Sequence, residues 1–98
     1  MTTITVTELK QRLEKNPNLK IIDVRSQEEF DGIAIPGAIN IPTGQVLQHR
    51  SEFVSTEPVY IICQSGTRSR LVTLTLHAQG LKNLVNVAGG MNAWMKLA

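Results

Sequence analysis

The sequence predicts an α/β fold, a parallel sheet with helices packed on its faces, and two observations lead there. The runs "LKIIDV" (19–24) and "PVYIIC" (58–63) are short, β-branched and apolar, which marks them as buried strands. Segments of helical character separate these from further short apolar runs, so that strand and helix alternate along the whole chain. Right-handed crossovers then bring the ends of the strands to one edge of the sheet, where such sheets bind ligands.

Taken in order, "TVTELKQRLEKNPNLK" reads as a helix with Thr7 as its N-cap, Glu8 in its first turn, Leu9 and Leu13 four apart, and "NPN" as its stop. After the strand at 19–24, Ser26 offers a cap for a short helix over "QEEF". Turn residues on both sides of "AINI" place a brief strand near 38–41. Residues 43–53 have helical character without clear boundaries. The strand at 58–63 leads through a glycine-containing loop into a helix whose inner face is marked by Leu71, Leu74 and Ala78, and which stops at Gly80. "LVNVAGG" gives a last strand and a tight turn at Gly89 and Gly90, and "MNAWMKLA" a closing helix with Met91, Trp94 and Leu97 against the sheet.

Composition narrows the function. The chain has 98 residues, 42% hydrophobic and 18% charged, enough for one domain (1–98) with a single core. Its longest apolar run is far below the ~20 residues of a membrane span, and "MTTITVTELK" lacks the pattern of a secretory signal. The single cysteine has no internal partner, so a reducing, cytoplasmic setting with a free thiol is expected. A net charge of +2 without a basic stripe argues against nucleic acid. His49 and His77 are far apart and with one cysteine make a poor ligand set, so no metal and no cofactor are assigned. The charge is uneven: all eight acids lie in residues 1–57, while residues 58–98 carry Arg68, Arg70, Lys82 and Lys96 and no acid. The half holding the cysteine therefore suits an anion.

The cysteine opens the segment "CQSGTRSR" (63–70), between a predicted strand and a predicted helix. A tight turn there can aim its backbone N–H groups inward, and Gly66 permits the positive φ such a nest requires. The helix beginning near Arg68 adds roughly half a positive charge at its N-terminus. A thiol inside that ring, partly solvated at the sheet edge and beside the Arg68 guanidinium, is expected to ionise well below its ordinary pKa. The alternative reading is an inert cysteine ending a core strand.

The segment resembles the active-site loop of rhodanese-like sulfurtransferases, in which a cysteine opens a loop of the form C-x-x-G-x-R-S. "CQSGTRS" fits every fixed position, and "IIDVRSQEEF", "IPGAINIP" and "VAGGMNAW" resemble three further family elements in the same order. The pattern departs at Ile33-Ala34, where the family usually has Gly-His. The resemblance implies a rhodanese-like, five-stranded parallel sheet with helices on both faces. It also implies a sulfurtransferase that takes a sulfane sulfur from a small anionic donor such as thiosulfate. The sulfur would pass to a thiophilic acceptor, cyanide or a thiol, the latter a small thiol or a thioredoxin-like protein. Carried over by residue, Cys63 is the nucleophile and persulfide carrier, and the backbone of Gln64, Ser65, Gly66, Thr67 and Arg68 binds the donor. Arg68 supplies a cation, and Ser69 either caps the helix or touches substrate. Asp23 and Arg25 are expected to support the loop from the end of the second strand, with Arg25 pairing Glu29 across one helical turn.

Two other functions fit parts of this pattern. One is a module that relays sulfur or docks a partner without turning over by itself. The other is a small cysteine-dependent phosphatase or arsenate reductase, whose loop needs five residues between Cys and Arg to surround a tetrahedral oxyanion. Four residues separate Cys63 from Arg68, and position 69 is serine.

Overall fold

The computed structural model describes residues 1–97. Five parallel strands, β1 (Thr2–Ile4), β2 (Lys20–Asp23), β3 (Ile39–Asn40), β4 (Val59–Ile62) and β5 (Leu84–Val87), form one sheet in the order β1-β5-β4-β2-β3. The helices are α1 (Val6–Lys15), α2 (Gln27–Gly32), α3 (Thr67–Ala78) and α4 (Gly90–Trp94). Residues 43–53, expected to be helical, form two short 3-10 turns, Thr43–Gln45 and Arg50–Phe53. Among the described residues no helix is long and apolar enough to cross a membrane.

The alternation of side chains along β2, β4 and β5 divides the core into two layers. Ile22, Ile61 and Leu84 point to one side, where Val72 and Leu76 of α3 and Phe53 cover them. Ile21, Tyr60, Ile62, Val85 and Val87 point to the other, against Leu9 of α1 and Met91 of α4. All four residues of β4 are buried, as expected of a central strand with helices on both sides.

Several boundaries differ from the sequence reading for local reasons. Helix α1 starts two residues earlier than Thr7 implies. Thr5 is the N-cap: its hydroxyl accepts from Glu8 N–H (3.1 Å), and the Glu8 carboxylate accepts from Thr5 N–H (3.2 Å), a reciprocal capping box. Strand β1 carries no apolar pattern of its own, since only Ile4 of "TTI" is buried. It exists because β5 offers it a partner, Thr3 lying opposite Asn86. Helix α4 ends at Trp94, short of the expected closing helix, whose last residue lies outside the described range. Met91 is buried there, with Trp94 and Leu97 packed beside it.

The phase of α3 is the clearest correction. Leu71 (67% exposed) and Leu74 (37% exposed) face outward, and Ala78 is exposed. The buried face is Ser69, Val72, Thr73 and Leu76. Two of those four are hydroxyl residues that bond inside the structure: Thr73 Oγ1 donates to the Ser69 carbonyl at 2.7 Å. Hydrophobicity alone therefore selects the wrong stripe. Truncating a fully buried leucine costs about 2–5 kcal/mol, whereas an exposed one contributes within about 0.5. Leu76→Ala should accordingly lower unfolding stability in urea by about 3 kcal/mol while Leu71→Ala leaves it nearly unchanged; equal losses would place α3 in the other phase.

Candidate active site

Strand β4 delivers Cys63 to the sheet edge, and the chain turns through Gln64–Gly66 into α3. Gly66 is the N-cap residue, with φ +97°, and a Cβ on it would lie 3.0 Å from the Gly89 nitrogen. The loop is held from outside by its carbonyls. The Cys63 carbonyl accepts from Met91 N–H (2.8 Å) and the Gln64 carbonyl from Asn92 N–H (2.9 Å). This close approach requires Gly90: its φ is +54°, and a Cβ there would stand 2.2 Å from the Cys63 carbonyl oxygen and 2.7 Å from that of Gln64.

With those carbonyls turned outward, N–H groups turn inward. Gly66 N–H donates to Cys63 Sγ at 3.1 Å and Ser69 N–H at 3.3 Å. The Cys63 thiol donates to Ser69 Oγ (3.3 Å), whose own hydrogen goes to the Gly66 carbonyl (3.2 Å). Thr67 and Arg68 are the first helical residues, where N–H groups have no helical carbonyl to bond. Cys63 is completely buried, not partly solvated as the edge position suggested. Burial is the strongest single influence and pushes its pKa up, but the Ser69 hydroxyl and the N–H groups of Ser69, Gly66 and Ser65 together outweigh it, leaving the thiol more acidic than an ordinary cysteine.

Neither arginine has the ionic partner expected of it. Arg68 does not turn to the sulfur; its guanidinium forms a two-point ion pair with Glu29, Nη1–Oε1 at 2.9 Å and Nη2–Oε2 at 3.0 Å. Arg25 is therefore not paired with Glu29. It is buried against Asp23, with Nε and Nη2 on the carboxylate at 2.8–3.0 Å. Its remaining donors reach the Ile33 carbonyl (2.6 Å) and Gln64 Oε1 (3.0 Å). The loop-supporting role expected of Asp23 and Arg25 is thus realised through Gln64, whose Nε2 also donates to Asn92 Oδ1 at 2.6 Å. The Gln64 side chain is a strut between Arg25 and α4. Ser65 and Thr67 share a hydroxyl contact at 3.3 Å on the exposed rim of the loop.

Sequence reasoning placed Gly90 in a tight turn but missed Glu29 and Asn92 as parts of this site. Glu29 carries a visible signal, since "SQEE" is a capping box: Ser26 Oγ accepts from Glu29 N–H (3.2 Å) and Glu29 Oε1 from Ser26 N–H (3.1 Å). Its second role, holding Arg68 from 39 positions away, leaves no local trace. Asn92 has none either.

The chain belongs to the rhodanese-like domain family, whose model matches residues 5–97. The crystal structure of a rhodanese-like domain protein from Staphylococcus aureus superposes with a TM-score of 0.89 at 40% identity, covering 96% of this chain and 91% of that one. YtwF of Bacillus subtilis, named as a candidate sulfurtransferase, is 38% identical over 91 residues, 93% of this chain and 87% of YtwF. YrkF of the same organism, named as a candidate sulfur carrier protein, is also 38% identical over 91 residues, but the chain spans only about half of it, 49%.

The Arg68 guanidinium, then the Ser26 N–H, hold the Glu29 carboxyl at about 2, down from an ordinary 4.5. A carboxyl whose pKa is lower folded than unfolded stabilises the protein above its unfolded pKa, and that contribution fades as pH falls through the folded value. The stability lost on Glu29→Gln should therefore be largest above about pH 5 and shrink toward pH 2, as followed by urea unfolding across that range. A difference independent of pH would show that the carboxylate charge contributes nothing.

Proposed function

We propose that this protein is a sulfurtransferase that carries sulfane sulfur as a persulfide on Cys63. The observation that supports this best is the set of partners converging on Sγ, two N–H donors and the Ser69 hydroxyl that accepts from the thiol, all within 3.3 Å, around a thiol that has no disulfide partner. In the first half-reaction the Cys63 thiolate attacks the outer sulfur of thiosulfate. A new S–S bond forms, the S–S bond of the donor breaks, and sulfite leaves with that bonding pair. The terminal sulfur keeps the negative charge. N–H groups of the ring and of the first turn of α3 stabilise it electrostatically. Ser69 has a distinct part: its hydroxyl accepts from the thiol and can rotate to donate to the thiolate, following the proton without moving the backbone. In the second half-reaction an acceptor, cyanide or a thiolate, attacks the terminal sulfur and Cys63 departs as thiolate.

Phosphatase or arsenate reductase chemistry gains no support, because four residues separate Cys63 from Arg68 and Arg68 is occupied by Glu29. A second reading, a relay that transfers sulfur only within a complex, is favoured by the complete burial of Cys63 and by the likeness to YrkF. The small anionic donor, a thiol acceptor and a cytoplasmic setting belong to the same proposal.

Incubation with thiosulfate should raise the protein mass by one sulfur atom per chain, reversed by dithiothreitol, and Cys63→Ser should remain folded and gain nothing. Thiocyanate formation from thiosulfate and cyanide by the isolated protein separates the enzyme from the relay. A serine variant that still turned over would refute the nucleophile.

The ionisation of the thiol tests the ring. Followed by thiolate ultraviolet absorbance, Cys63 should titrate below the ~8.5 of a free cysteine. Ser69→Ala should move the midpoint upward, and further than Arg68→Ala does, since Arg68 faces Glu29. A larger shift from Arg68→Ala would reassign the dominant influence to the guanidinium.

A further inference from the structure

We propose that Glu29 sets the charge of the sulfur donor: by holding Arg68 it withdraws the loop's only cationic side chain, and the site thereby favours a singly charged sulfane-sulfur anion over the thiosulfate dianion. The inference rests on the reading of Cys63 as the sulfur carrier and adds to it the class of donor. Among residues 63–69 only Arg68 carries a positive charge. Both of its Nη groups lie on the Glu29 carboxylate, at 2.9 and 3.0 Å, so the two charges cancel beside the loop. The bond to Glu29 is the largest influence raising the Arg68 pKa, and the charges of Cys63 and Asp23 raise it further, which puts the pair within electrostatic reach of the sulfur. The two side chains are 40% and 34% exposed, so the pair is open to a solute.

The neighbouring arginines do not replace it. Arg25 is buried, and its donors are taken by Asp23, the Ile33 carbonyl and Gln64. Arg70 lines a cleft with Thr3 and Asn86, and Cys63 is absent from that lining. What remains at Sγ is the set of backbone N–H groups and the end of the α3 dipole, equivalent to roughly half a charge. Dipoles of that size balance one negative charge better than two, and the cost of taking an anion out of water rises with the square of its charge. A thiosulfonate, in which carbon replaces one oxygen of thiosulfate and removes one charge, is a donor within this limit. The Cys63 thiolate attacks its outer sulfur, a new S–S bond forms, the donor's S–S bond breaks, and the sulfinate leaves with that bonding pair.

The test follows persulfide formation by protein mass in single turnovers, with thiosulfate and with methanethiosulfonate as donors. Glu29→Gln keeps an oxygen for the Ser26 N–H, so the capping box survives, and leaves the Arg68 charge uncompensated. It should lower the thiosulfate concentration that gives half the maximal loading rate roughly tenfold, the low end for a charge-assisted hydrogen bond, and that of methanethiosulfonate only about threefold, because Coulomb energy scales with charge. The maximal rates should change little. The double variant Glu29→Gln, Arg68→Gln removes both charges at once and should return the ratio of the two donors to the parent's value. Equal changes for both donors, or none, would overturn the proposal while leaving Cys63 as the carrier. So would a double variant that loses thiosulfate relative to methanethiosulfonate, since Arg68 would then already serve the dianion in the parent. Should Glu29→Gln fail to fold, the double variant against the parent decides. If neither donor loads the parent protein, the sulfur reading and this proposal fall together.

Discussion

The structure around the cysteine depends on which way two peptide groups point. The carbonyls of Cys63 and Gln64 are turned out of the loop and taken by the N–H groups of Met91 and Asn92. A short loop cannot aim both ends of its peptides inward, so committing these carbonyls to α4 helps to free the following N–H groups to face Sγ. The arrangement works only because Gly90 has no side chain where those carbonyls pass. The start of the loop that carries the donors to the sulfur is thus held by a glycine 27 positions beyond Cys63, on α4.

Two ion pairs hold the rest of the frame, and they are physically different. Asp23–Arg25 is fully buried, and charges so placed are tolerated only where their hydrogen-bonding capacity is met. Here the carboxylate, the Ile33 carbonyl and Gln64 take the guanidinium donors from three directions. Removing either partner of such a pair typically costs about 3–5 kcal/mol, because the other charge is left buried alone. Glu29–Arg68 is partly exposed, and its value lies in position more than in energy: it joins the start of α3 to the capping box of α2. One pair fixes the loop at Gln64 and the other at Arg68, so the turn between them is held at both ends.

Burial and hydrogen bonding oppose each other at the thiol. Taking Cys63 out of water disfavours its anion, and the ring of donors reverses that balance. The same low-polarity surroundings that penalise the free thiolate strengthen each N–H bond to it. A sulfur anion here is stabilised by fixed dipoles that need no rearrangement when charge moves along the S–S bond. Ser69 completes this set as the only side-chain hydroxyl on Sγ among the described residues.

What the sequence determined by itself was local. The alternation of strands and helices, the capping residue Ser26, the C-x-x-G-x-R-S spacing and the tight Gly89-Gly90 turn each rest on residues a few positions apart, where backbone sterics and short-range hydrogen bonds decide the outcome. The tertiary structure decided whatever needs two distant segments. Strand β1 has no pattern of its own and is created by β5. The inner face of α3 uses Ser69 and Thr73, whose hydroxyls are acceptable in the core only because packed backbone satisfies them. Arg25 had several acids within sequence reach and Arg68 had none, and which acid each took depended on how α2 lies against the loop, since ion-pair geometry is fixed by packing and not by spacing. The exposure of Cys63 was likewise invisible, because a strand end can be open or covered, and only the assembled loop covers it.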